Sequence, residues 1–220
     1  MKTQPWATGL LLIAAPLLFN GAFLALASQF DYPAVLRHPA GEVLTRFAAG
    51  GAPLLTTWYV MFLAALLLIP LAVFSAKPLA GRHATAAVAF GVLAGLVQAL
   101  GLARWVFVTP HLAKSYTGAD ATIATRSATE VVFDAFNHYL GVGIGEHLGY
   151  LFTGIWTLIV ARGLWEADRR GFAIVGALSG VGILLGLGEA TGAVWAQTAT
   201  VIGYLFWAAW LITLGGLTIR

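Results

Sequence analysis

The chain of 220 residues contains no cysteine. Structural disulfides, thiolate metal sites and thiol nucleophiles are thereby excluded together. Charge is nearly as scarce, since Asp, Glu, Lys and Arg make up 10% of the residues against 60% that are hydrophobic, a balance far from that of a water-soluble domain. The alternation of apolar and polar residues that a membrane barrel of strands requires is missing. So is a phosphate-cradling glycine loop with its lysine, and the Gly-x-Gly-Glu stretches lack the strand context of a dinucleotide site. The serines are poorly placed as nucleophiles: Ser75, Ser115 and Ser127 fall outside the apolar runs, and Ser179 lies inside one without a base nearby.

What the chain has instead is long apolar runs, with a mean hydropathy of +0.86. Six of them, Leu10 to Ala27, Leu54 to Phe74, Ala84 to Val108, Val142 to Ala161, Phe172 to Glu189 and Ala199 to Leu217, approach or exceed the roughly 20 residues that cross a hydrocarbon core of about 30 Å. Backbone groups in lipid must be satisfied within each segment, so these runs are helices. The sequence therefore predicts an all-α, polytopic integral membrane helix bundle. It forms a single domain over residues 1–220, with about six transmembrane helices and short interfacial helices in two long connections.

The first of these helices is predicted to start at Pro39, with Val43, Leu44 and Phe47 on one stripe. The second is predicted from a capping box of Ser127 and Glu130, leading into Val132, Phe133, Phe136 and Tyr139, with Glu130, Asp134 and His138 on the other face. Gly141, Gly143 and Gly145 mark a bend between that helix and the span after it.

Basic residues set the orientation. Lys2, Lys77, Arg82, Arg162, Arg169, Arg170 and Arg220 fall at one set of span ends, whereas Arg37, Arg46, Lys114 and Arg126 lie in the two long connections. The positive-inside rule then puts both termini in the cytoplasm. Juxtamembrane arginines account for the net charge of +3 and the pI near 9.5, and no nucleic-acid partner is required. Lys2, the apolar run and Ala25-Leu26-Ala27 resemble a signal peptide. The run is long for one and contains Pro16 and Asn20, so an uncleaved first helix is expected.

Two internal similarities stand out. Gly143 to Gly149 and Gly186 to Gly192 both read Gly-x-Gly-Glu-x-x-Gly, and Gly149-Tyr150-Leu151-Phe152 with Trp156 matches Gly203-Tyr204-Leu205-Phe206 with Trp210. Their offsets differ, so they define no single duplicated block. Gly91 with Gly95, Gly176 with Gly180 and Gly182 with Gly186 are small-residue pairs that permit close helix approach.

Function is sought among the polar residues inside the runs, because such residues are expensive in lipid. Counted outward at 1.5 Å per residue, Glu146 lies roughly 24 Å from Arg162, Gln98 roughly 24 Å from Arg82, and Glu189 roughly 28 Å from Arg170. Arg104 comes near the outer boundary, Asn20 somewhat deeper, and Tyr59 enters the same leaflet beside Trp58. Asn20, Tyr59, Gln98, Arg104, Glu146, His147 and Glu189 are thus the candidate ligand-binding residues. Arg104 is expected to pair with Glu146 or Glu189, leaving the other carboxylate, with Glu189 favoured, free to exchange a proton. The competing structural reading has Arg104 reaching the headgroups and Glu146 only tying helices together.

A small polar or protonatable solute, bound or passed in an externally open pocket, is the leading functional reading. One alternative is a metal-dependent membrane hydrolase using His111, His138 and His147 with Asp134 or Glu146. Against it, no HxxxH or HExxH spacing occurs. Haem would need two facing histidines inside the bundle, where His147 stands alone. The other alternative is a non-catalytic accessory or sensor subunit that meets a membrane partner or a second copy through its glycine and tryptophan faces. No metal or cofactor is identified by the residues.

Gln98, Gly101, Leu102, Arg104, Trp105 to Pro110 and Leu112, then Phe136, Asn137, Tyr139, Gly141, Gly145, Glu146, His147, Leu148 and Gly149, form one continuous pattern. With Phe30 to Pro33 and Trp58 to Tyr59, it resembles a bacterial family of multi-pass membrane proteins that carries a domain-of-unknown-function label, number 4386. The resemblance implies a bacterial inner-membrane location and brings no established activity, ligand or catalytic residue.

Overall fold

The computed structural model describes residues 5–77, 79 and 81–219; Lys2 and Arg220, two of the charges used to orient the chain, lie outside them, as does the side chain of Arg82. The helices are α1 (Pro5–Phe30), α2 (Ala40–Leu66), α3 (Leu68–Ser75), α4 (Gly81–Ala103), α5 (Thr109–Thr117), α6 (Ile123–Phe136), α7 (Gly149–Glu166), α8 (Arg170–Leu184) and α9 (Val194–Ile219). Two stretches between them are wound as π-helix, Arg104–Val108 and Asn137–Leu148, and Ala34–Arg37 and Leu185–Thr191 are 3-10 helices. No strand occurs among the described residues.

Six continuous helical stretches are long and apolar enough to cross a membrane: Trp6–Phe30, Ala40–Ser75, His83–Thr117, Ile123–Glu166, Arg170–Thr191 and Val194–Ile219. All six predicted runs fall inside them. Each packs on its neighbours in chain order, and α1 also packs on α9, so the six stretches close into a ring. The start of α1 meets the end of α9, where a Cβ on Gly9 would stand 2.8 Å from the Gly215 carbonyl oxygen. The start of α1 and the end of α9 therefore lie on one face of the ring, and the long connections lie on the other.

The predicted interfacial helices are present but continuous with spans. Pro39 caps α2, whose Val43, Leu44 and Phe47 are buried as expected. Gly51, at φ 55° and ψ −148°, kinks α2 between this surface segment and the span. A side chain at this position would be strained, so glycine is required. The second surface helix begins at Thr122, whose hydroxyl accepts from the Thr125 N–H at 3.1 Å. Ser127 is interior to α6, so the N-cap lies five residues before the predicted one. The Gly141, Gly143, Gly145 run, expected as a bend, lies in a continuous π-helical segment.

Two apolar cores divide the ring. On the connection face Leu26, Phe30, Val43, Leu44, Phe47, Trp58, Trp105 and Phe133 pack together. Trp58 stacks on Trp105 at 4.5 Å and 8°, a contact worth about 0.5–1.5 kcal/mol beyond area burial. Toward the terminal face Leu71, Ala72, Ala87, Ala94, Trp156, Trp210 and Leu211 form the second core. Glycines set the closest crossings: a Cβ on Gly101 would stand 2.5 Å from the Gly145 Cα, and one on Gly203 would stand 2.7 Å from the Gly182 carbonyl carbon. Packing of this kind drives association between apolar helices in lipid.

Candidate functional site

Arg104 opens the π turn after α4 and is 5% exposed. Its Nη1 donates to the Gly101 carbonyl oxygen one turn back, and its Nη2 donates to Asn137 Oδ1 at 3.1 Å. The guanidinium carbon lies 5.2 Å from the Trp105 ring centroid. The group rests against Gly141, where a Cβ would stand 2.6 Å from Nη2. Nε has no acceptor.

This arrangement corrects the expected ion pair. Among the described residues Arg104 makes no salt bridge with Glu146 or Glu189. Glu146 is near enough to act on Arg104 electrostatically, yet the forked end of the guanidinium is occupied by neutral oxygens. Asn137 and Gly141, four residues apart at the start of the second π segment, provide an acceptor and the space beside it. A charge count along the sequence favours carboxylates, but local carbonyl and amide dipoles reach the guanidinium first.

Glu146 follows in the same π segment and is half-buried. It makes no hydrogen bond among the described residues. Electrostatic interactions join it to Tyr32, Arg104, Tyr150, Glu189 and Tyr204. Glu189, in the 3-10 helix after α8, is half-buried, and its Oε1 is enclosed without a partner. Below this level Gln98 Nε2 donates to Thr153 Oγ1 at 2.9 Å. Tyr204 faces Thr153, and Trp207 Nε1 donates to Thr157 Oγ1 at 2.9 Å. Thr153 and Thr157 are fully buried.

Of the predicted residues, Gln98, Arg104, Glu146 and Glu189 fall in one connected polar region. Asn20 does not join it, because its amide donates to the Pro16 carbonyl oxygen of its own helix at 2.8 Å. Tyr59 is 45% exposed and stacks on Phe62, so it faces outward. His147 is half-buried and makes no hydrogen bond among the described residues. His138 Nδ1 meets the Asp134 carbonyl oxygen at 2.9 Å and His38 Nδ1 meets Glu42 Oε1 at 3.0 Å. No three His, Asp or Glu side chains gather as a metal would require among the described residues. The external-histidine hydrolase is left without a ligand set.

Tyr32, Asn137, Gly141, Tyr150, Thr153 and Tyr204 are not among the candidate site residues read from the sequence. A signal for two of them is present, since Tyr150, Thr153 and Thr157 recur at spacings of three and four along one face of α7. The repeated motifs also meet in space: Tyr150 and Tyr204 have ring centroids 6.1 Å apart, and Glu146 and Glu189 interact electrostatically. Two clefts lie away from this region, one of about 490 Å³ between α3 and α4 and one of about 350 Å³ between α8 and α9.

A closed ring of six helical stretches apolar enough to cross a membrane, with a buried arginine and two half-buried carboxylates among them, defines a multi-pass membrane protein with a polar cluster in its helix bundle. The chain belongs to the family described as Domain of unknown function (DUF4386), whose match runs over residues 7–215. No curated protein and no solved structure matches the chain.

Proposed function

We propose that this protein binds or passes a small polar or protonatable solute in the polar cluster of Arg104, Glu146 and Glu189. The observation that carries the reading is the unpaired state of these groups. A buried guanidinium keeps one N–H without an acceptor, while Glu146 within its electrostatic range, and Glu189 within that of Glu146, form no ion pair among the described residues. Charges held in lipid only to join helices gain by pairing directly; charges held apart leave room for a third group between them. Arg104 engages a negative or acceptor group of the solute, and Glu146 or Glu189 exchanges a proton as it binds. Gln98 and Thr153 line the inner end. The same reading places the protein in a bacterial inner membrane with both termini cytoplasmic, so that the cluster faces the external half of the bilayer.

The test is a thermal-shift screen of purified protein in lipid nanodiscs against amino acids, small carboxylates, phosphate and small amines. A ligand present at 100 times its Kd stabilises by about 2.7 kcal/mol. At least one solute is expected to raise Tm in the wild type and to lose that effect in Glu146→Gln. If every solute leaves Tm unchanged, or if Glu146→Gln retains the response, the reading is wrong.

A further inference from the structure

The aromatic core on the connection face ends in a set of hydrogen-bond donors without acceptors. Trp58 and Trp105 stack at 4.5 Å, and the Arg104 guanidinium carbon lies 5.2 Å from the Trp105 ring centroid. Trp58 and Arg104 thus both approach the Trp105 ring; both tryptophans are fully buried and Arg104 is 5% exposed. Trp58 Nε1, Trp105 Nε1 and Arg104 Nε are each enclosed with no partner. Tyr32 meets Trp58 edge-on at 5.0 Å and interacts electrostatically with Arg104. It is half-buried, and its hydroxyl makes no hydrogen bond among the described residues.

Buried polar groups are almost always satisfied, so an orphaned cluster of one kind calls for an explanation. An indole N–H and a guanidinium N–H only donate, so whatever satisfies them accepts. Water is a poor answer, because it brings two hydrogens that need acceptors of their own. The oxygens in contact with Arg104, from Gly101 and Asn137, already accept from it. Arg104 also lacks a contacting counter-charge, which a buried cation requires.

We propose that the Arg104, Trp105 and Trp58 group is an oxyanion subsite, taking a carboxylate or phosphate group with Tyr32 at its less buried edge. This rests on the proposed function and narrows it: the solute carries a negative oxygen group. A free anion and a lipid headgroup phosphate share that chemistry, and experiment separates them.

The full-length protein in maltoside micelles is titrated with acetate and with inorganic phosphate at constant ionic strength, chloride serving as the control, while tryptophan fluorescence is followed. A second arm adds phosphatidylglycerol in place of the free anions. A saturable response to acetate or phosphate assigns the subsite to a free anion, and saturation by the lipid alone assigns it to a headgroup. Trp105→Phe keeps an aromatic ring in the stack but removes a donor, and it should raise Kd about tenfold or more. Trp165→Phe, 46% exposed near the opposite face, should leave Kd unchanged. Should Trp105→Phe fail to fold, Trp58→Phe makes the same test; should both fail, the wild-type titrations decide. The proposal is overturned if neither free anions nor lipid give a saturable response beyond chloride, or if a folded donor variant binds with unchanged Kd. Binding of only cationic or neutral solutes in the thermal screen, dependent on Glu146, would end this proposal and leave the broader function standing.

Discussion

Gly141→Ala tests whether Arg104 is held in one place. The added Cβ would stand 2.6 Å from Arg104 Nη2, 2.7 Å from Cζ and 3.1 Å from Nε, whereas unstrained contacts lie near 3.5–4.0 Å. The guanidinium must therefore retreat by about 1 Å. For an exposed arginine this would be easy. Here Nη1 is tied to Gly101, Nη2 is tied to Asn137, and Trp105 lies alongside. Overpacking of this kind costs about 1–3 kcal/mol, and a hydrogen bond to a charged group is worth about 1.5–3 kcal/mol. A destabilisation of about 2–4 kcal/mol is the expected result. Reversible unfolding in mixed micelles with a denaturing detergent, followed by tryptophan fluorescence, measures it. The cycle is completed in an Arg104→Met background, where a flexible uncharged chain replaces the guanidinium. There Gly141→Ala should cost at least about 1.5 kcal/mol less, as coupling between touching residues predicts. A cost under about 0.5 kcal/mol, or one equal in both backgrounds, would refute the placement of Arg104 on Gly141.

Three further outcomes are expected. Gly203→Ala, whose Cβ would meet the Gly182 backbone at 2.7 Å, should destabilise by about 1–3 kcal/mol; Gly216→Ala, with nothing within 4 Å, should be neutral or stabilising, and equal effects in the same unfolding assay would contradict the α8–α9 crossing. Burial first and Glu146 second, opposed by Arg104, push the Tyr32 hydroxyl up from 10.0 to about 12. The folded state then holds a proton that the unfolded chain gives up, so this contribution is intact below pH 10 and lost as pH rises toward 12; Tyr32→Phe should flatten that decline in alkaline unfolding curves. Reporter fusions after residue 219 and within Lys114 to Arg126 should report opposite sides of the membrane, with the terminal fusion cytoplasmic.

The spans were legible because apolar runs and their lengths follow directly from the thickness of lipid, and Leu54 to Phe74 or Ala199 to Leu217 needed no tertiary information. The surface segment of α2 was legible for a similar reason, since Val43, Leu44 and Phe47 share a stripe on any helix. Its continuity with the span is hidden, because the pair Gly50-Gly51 ahead of Pro53 reads as a break. The start of α6 is hidden because Ser127 and Glu130 match a capping box, whereas the N-cap that forms is Thr122, five residues earlier, with no Glu or Gln at the third position after it. Asn20 and Tyr59 were assigned by depth alone. Depth ignores azimuth, and the structure turns Tyr59 outward and ties Asn20 to its own carbonyl.

The ion pair failed for a deeper reason, and the failure bears on function. Counting charges assumes that a buried arginine finds a carboxylate, but the π winding of Arg104–Val108 and Asn137–Leu148 changes what each residue faces. A π turn holds more residues than an α turn and breaks the usual three-and-four spacing, so neighbours read from sequence are not those met in space. Asn137 takes up Arg104 in this geometry, and Glu146, nine positions on, is left within electrostatic range without contact. π segments are rare and concentrate at functional sites. Here two of them contribute the two opposite charges of one cluster, which a purely structural pair of α-helices had no need to hold apart. Removing one residue from Val142 to Ile144 should draw the segment toward α-helix and rotate Glu146 relative to Arg104. If solute binding survives that deletion in a folded protein, the winding is incidental to the site; if it is lost while Tm holds, the separation of the charges is what the site requires.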